Sequence, residues 1–338
     1  MKVALSIPVY LPSFSGDGFL SGGCESGCEE KKFSFDESDS KDVFPPQKSG
    51  FLSDRKFFLH SEAFRSWLDS AFSARLKFGT EFRIFPVYDV EKRGFAATAN
   101  EAIKKSLSWK ADMIFLVNDD LVFSDNLVSR AIEFSNFVKE KMTDVWNRGF
   151  VFSFPVMFAG TDIVNTCGDD VDPFSGYGFS LSDCDLSGKD LYEGGFKEVS
   201  SLSGVLMIAP ASLWEKFFPP FDEDMGSYFE DVVFSLRLKK SGATLFVAGG
   251  SRAYHYASSS FGLYSSSKTF YLARNSWRVL QELGLPDSGS APENLFRAFR
   301  IASKRTSIFE KYARMGYAFE WLSGDFRGLL EVLRRIFS

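Results

Sequence analysis

The run Met113-Ile114-Phe115-Leu116-Val117 is unbroken by any polar residue and stops abruptly at Asn118-Asp119-Asp120. A run this short and this apolar has no solvent face to offer. It fits a strand buried on both sides, as in the centre of a parallel sheet. Carboxylates directly after such a strand stand where the backbone leaves the sheet.

Comparable runs recur along the chain, separated by helical spacing. Residues 2–10 are apolar and end at Pro8 and Pro12, which reads as a first buried strand. Phe58, Leu59, Phe64, Trp67, Leu68, Phe72 and Leu76 are spaced for a helix that stops at Gly79. Residues 82–88 read as a strand, 94–107 as a loop and helix, 126–142 as a helix, and 151–158 as one strand. Residues 204–209 and 244–248 read as strands. Residues 211–217, 230–241 and 268–283 read as helices, as does the chain from 293 onward. This alternation predicts an α/β fold with a mostly parallel central sheet flanked by helices. Ligands of such sheets sit outside the carboxyl ends of the strands. The expected organisation is one domain over residues 1–285, with a polar loop insertion at 13–50 and a helical extension at 293–338. Residues 159–200, rich in Gly, Asp and Ser, read as a long loop at the site.

The chain has 338 residues, 45% of them hydrophobic, enough for a sizeable core. A net charge of −5 argues against sequence-independent nucleic-acid binding, which needs a basic footprint. Cys24 and Cys28 lack the further matched ligands of a zinc site, so free thiols in a reducing compartment are expected. The opening apolar run is too short for a signal peptide, and no run approaches a membrane span. The expected location is cytoplasmic, soluble or peripheral to a membrane. The 39 phenylalanines carry no functional reading.

Three constellations could carry chemistry. Adjacent Asp119 and Asp120 repel unless a cation or hydrogen bonds compensate. Mg²⁺ and Mn²⁺ take oxygen ligands of this kind, whereas the bland alternative is a turn with an Asp capping the next helix. Glu230 and Asp231 precede a helical run. They serve either as acids favoured at a helix N-terminus or as a general base for a hydroxyl. His255 follows a strand and Gly249-Gly250, and is either a packed histidine or a neutral imidazole ligand to a metal. His60 lies on a predicted helix and reads as structural.

These elements, taken in order, resemble family-2 glycosyltransferases of the GT-A fold, in particular their rhamnosyltransferase-like branch. The resemblance is carried by Ser6-Ile7-Pro8-Val9-Tyr10, by the segment from Arg93-Gly94 through Asn100 to Ile103, and by Asn118-Asp119-Asp120. It continues through Ser203-Gly204, Phe221-Asp222-Glu223, Tyr228-Phe229-Glu230-Asp231, Tyr254-His255 and Arg274-Asn275. It implies an inverting, metal-dependent transfer of a sugar from a nucleoside-diphosphate donor to a hydroxyl acceptor, a glycan or lipid-linked glycan. On that resemblance Asp120 and His255 would hold Mg²⁺ or Mn²⁺, and Asp231, with Glu230 as the alternative, would be the base. Pro8, Tyr10, Asp89, Asn100, Asn118 and Asp119 would contact the donor nucleotide. Two alternatives stay open: a nucleotidyltransferase, disfavoured because residues 12–23 lack Lys and Arg, and a non-catalytic nucleotide-sugar-binding module. The basic residues of 293–338 suit either a helical cap or contact with an anionic membrane.

Overall fold

Alternate residues of the first strand, Val3, Leu5, Ile7 and Val9, enter one hydrophobic core, while Ala4 enters a second. The strand Met113–Val117 divides the same way, with Met113, Phe115 and Val117 on one side and Ile114 and Leu116 on the other. Period-two alternation between two dry faces is what an unbroken apolar run predicts for a sheet covered on both sides.

The computed structural model describes residues 1–9, 61–91, 93–171, 178–180 and 195–256, with 275, 278, 279, 282 and 283. The strands are β1 Lys2–Val9, β2 Glu81–Tyr88, β3 Met113–Val117, β4 Leu121–Phe123, β5 Phe150–Ser153, β6 Val156–Phe158 and β7 Val164–Thr166. They continue with β8 Asp169–Val171, β9 Gly178–Ser180, β10 Phe196–Glu198, β11 Leu206–Pro210, β12 Thr244–Ala248 and β13 Ala253–His255. The helices are α1 Ser61–Phe78, α2 Phe95–Ser108, α3 Leu127–Lys141, α4 Thr143–Arg148, α5 Ala211–Lys216 and α6 Glu230–Lys240.

The main sheet runs β10-β12-β5-β11-β3-β1-β2. β1, β2, β3, β5 and β12 point one way; β11 and the edge strand β10 run against them. The expected α/β class with a mostly parallel sheet is therefore met. α1 and α3 contribute to the first core, and α2, α5 and α6 to the second. Phenylalanine fills much of the first: Phe134 of α3 packs against Phe150, Phe152, Phe196 and Phe246, with ring centroids 4.8–6.4 Å apart.

A second sheet, β4-β13-β6-β7, stands beyond the carboxyl ends of the central strands. The strands correct two expectations and decide one alternative. Residues 151–158 are two strands in different sheets, because Pro155 cannot donate to a ladder and the chain changes sheet there. Residues 159–200 are not all loop, since they supply β7, β8, β9 and β10. Asp120 does not cap a helix, because β4 follows it directly and α3 begins only after Asn126. Cys167, expected as a free thiol, is disulfide-bonded.

Among the described residues no helix is long and apolar enough to cross a membrane. Tyr10, His60, Cys24, Cys28, the 13–50 insertion and the 293–338 extension lie outside the described residues. So does most of the helix expected at 268–283, of which residues 275, 278, 279 and 282 are helical.

Candidate active site

β3 ends at Val117, and the pairing with β11 carries one residue further. The Asn118 N–H donates to Val205 O at 3.1 Å. Asp120 then turns the chain into β4. β4 pairs with β13 in a register that sets His255 opposite Leu121, next to Asp120. The result is His255 Nε2 at 3.0 Å from Asp120 Oδ1, both side chains being about nine-tenths buried. On the far side of the ring, Nδ1 lies 3.2 Å from Asn165 Oδ1 on β7.

The Asn165 contact sets the tautomer. Its Oδ1 can only accept, so Nδ1 carries the proton, and a neutral ring then turns the Nε2 lone pair toward a carboxylate oxygen. Two acceptors at 3.0 Å repel unless positive charge joins them. That charge is either a second proton on the ring or a metal ion. The spacing suits the metal: two neighbouring ligands of an octahedral ion, each ~2.1 Å away, lie ~3.0 Å apart. Among the described residues no group of three or more His, Cys, Asp or Glu could hold a metal. Two protein ligands nonetheless suit Mg²⁺-like ions, which fill their remaining positions with water and substrate phosphate. Asp120 and His255 therefore fit such an ion.

A second carboxylate reaches the same edge from α6. Gly204, just before β11, donates its N–H to Asp231 Oδ2 at 2.7 Å, and Val232 donates to Oδ1 at 2.8 Å. Gly204 thus holds Asp231 while its neighbour Val205 holds Asn118, so one strand end gathers both acidic segments. Burial pushes the Asp231 carboxyl up, and the N–H groups of Gly204 and Val232 oppose that rise. Glu230 is 6% exposed, and among the described residues its Oε2 has no hydrogen-bond partner. Burial holds its carboxyl well above the ordinary glutamate range, and the nearby Asp231 adds to the shift.

The residues expected at the nucleotide divide into two groups. Asn118 and Asp119 are half-buried at the edge beside Asp120, and among the described residues the buried Asn118 Oδ1 has no hydrogen-bond partner. Asp89 and Asn100 hydrogen-bond within the protein. Asp89 accepts from the N–H groups of Arg93 (2.7 Å) and Gly94 (2.9 Å), closing the turn into α2. Asn100 exchanges hydrogen bonds with the Phe221 backbone and donates to Glu223. Pro8 is buried on β1 beside Val87. Asn165 escaped the sequence reading, because only strand pairing in the small sheet brings it to His255.

Fold and site together define an α/β protein with a carboxylate–imidazole pair and a backbone-anchored carboxylate at one sheet edge. No family model matches the chain, and no curated protein matches it. Among solved structures it is similar to GalNAc-T7 with UDP, GalNAc and Mn²⁺, at 14% identity and TM-score 0.37. That match covers 57% of this chain but only 35% of the GalNAc-T7 chain. It is also similar to S. aureus TarS 1-349, at 12% identity and TM-score 0.38, over 99% of this chain and 92% of that one. A third likeness is to A197 from STIV, at 18% identity and TM-score 0.30, over 55% and 78% of the two chains. Likenesses this weak decide nothing about function, which has to come from the chain's own residues.

Proposed function

We propose that this chain is a metal-dependent GT-A glycosyltransferase that moves a sugar from a nucleoside-diphosphate donor to a hydroxyl acceptor with inversion. The observation that carries the reading is the Asp120–His255 pair, with Nε2 and Oδ1 3.0 Å apart, on the same sheet edge as Asp231. The order of the sequence motifs extends the reading to the rhamnosyltransferase-like branch and to a glycan or lipid-linked acceptor.

Asp120 and His255 would hold Mg²⁺ or Mn²⁺. Such an ion, when bound, supplies positive charge against the leaving diphosphate. Asp231 accepts the proton of the acceptor hydroxyl as that oxygen bonds to the anomeric carbon. The bond from that carbon to the diphosphate oxygen breaks, and its electron pair leaves with the diphosphate. Gly204 and Val232 hold one Asp231 oxygen each, which fixes the direction of the remaining lone pairs. A carboxylate raised by burial binds the incoming proton more strongly than a free one. Asn165 holds the His255 ring in one orientation from behind.

The test is a thermal-shift screen of nucleoside-diphosphate sugars with and without Mn²⁺, followed by a transfer assay with the best donor. Stabilisation that requires both Mn²⁺ and a nucleotide is expected. Binding of donor unaffected by Mn²⁺, or unaltered by Asp120→Ala, would overturn the metal assignment.

A further inference from the structure

Two consecutive non-glycine residues, Tyr228 (φ 70°) and Phe229 (φ 73°), take the left-handed conformation immediately before Glu230 and Asp231. Such backbone is costly for residues bearing a Cβ and persists only where the surroundings impose it. Phe229 is also the residue that opens α6, so this turn sets the direction in which the helix leaves.

The surroundings here are specific. Asn275 is 1% exposed, and its Nδ2 lies 3.0 Å from Met225 O, 2.9 Å from Ser227 O and 2.8 Å from Tyr228 O. One amide nitrogen thus gathers three carbonyls of the strained turn. Residues 275, 278, 279 and 282 are helical, and this spacing puts them on one face. Val279 is fully buried, and Arg278 pairs with Asp222 at 3.8 Å, before the turn. Glu282 bonds both Arg237 (2.9 Å) and Lys240 (3.1 Å), toward the end of α6. This one face therefore holds the segment bearing Glu230 and Asp231 before, at and after its turn.

We propose that Asn275 is a positioning residue: its amide holds the Tyr228–Phe229 turn and so aims Glu230 and Asp231 at the sheet edge. This deepens the glycosyltransferase reading and rests on it for the role of Asp231. The geometric core is testable without any turnover. Without the amide the turn relaxes toward negative φ, and Glu230 swings out of its burial.

Carbodiimide labelling of carboxyl groups in the full-length chain, read by peptide mass spectrometry, measures this directly. Asn275→Ala is expected to raise labelling of Glu230 roughly tenfold, the size of shift in a local equilibrium that losing one hydrogen-bonding group produces. Asp169, 8% exposed, reports general unfolding and should stay protected. Asn275→Asp, which keeps the shape and loses the donor, should behave like Asn275→Ala. Adding Tyr228→Gly to Asn275→Ala should restore protection, because glycine takes positive φ without a brace. Unchanged Glu230 labelling in both variants would overturn the proposal, as would Glu230 and Asp169 rising together in both. Failure of the donor screen with these labelling results intact would sink the glycosyltransferase reading alone.

Discussion

Glu230→Gln tests the site through folding stability. Glu230 is 6% exposed, and burial holds its carboxyl well above the ordinary glutamate range. In the unfolded chain a glutamate titrates near pH ~4.3. Below that pH folded and unfolded chains are both protonated, and the shift has no effect on stability. Above it the unfolded chain sheds the proton that the folded chain keeps. Each further pH unit then removes ~1.4 kcal/mol of wild-type stability, until the pH passes the folded value. Glutamine keeps the size of the side chain and has nothing to titrate, so the variant escapes this slope. The difference in Tm, Glu230→Gln minus wild type, should be near zero at pH 4. It should then widen by about 2 °C per pH unit in a chain of this length, and finally level off. Differential scanning fluorimetry across pH 4 to 8 measures it, and titrating groups other than the coupled Asp231 cancel in the difference. A gap independent of pH would refute the reasoning, because Glu230 would then titrate alike in both states.

Asp231→Asn should abolish sugar transfer, by at least ~10²-fold, while Mn²⁺-dependent donor binding persists in the thermal-shift assay. Asn165→Ala should weaken Mn²⁺ binding about 10–100-fold by releasing the His255 ring, read by titration calorimetry with Mn²⁺ and nucleoside diphosphate. An unchanged affinity would show that Asn165 does not orient the ring. Gly94→Ala places a Cβ 2.7 Å from Gly226 O at φ +92°, so it should cost ~2–4 kcal/mol in a denaturant melt. Trp67→Phe loses the Nε1–H bond to Leu121 O and leaves a void where the rest of the buried indole packed, at an expected cost of ~2–4 kcal/mol.

The class of fold was legible in the sequence because its signals are local. An apolar run with no polar face declares a doubly covered strand, and β3 has its residues divided between two cores as that requires. The segment 151–158 misled because two buried strands joined at Pro155 look, residue by residue, like one. The small sheet was illegible altogether: β4, β6, β7 and β13 are three residues each, too short to carry a period.

The residue types of the site could likewise be read one at a time. Asp120 after a central strand, acids at the start of α6 and a histidine after Gly249-Gly250 each stood out by chemistry and neighbourhood. The hydrogen bonds of Asp89 and Asn100 within the protein could not be read that way, because their partners lie largely on the backbone of distant or folded-back segments.

The sequence by itself determined the alternation of strands and helices and which side chains could bind a cation or take a proton. Only the tertiary structure decided which of them meet. The meeting of Asp120 with His255 and Asn165 depends on strand pairing, and that of Asp231 with the sheet edge depends on one N–H of Gly204. Such contacts join residues far apart in the chain, and their energy exists only once the intervening chain has paid its ordering entropy.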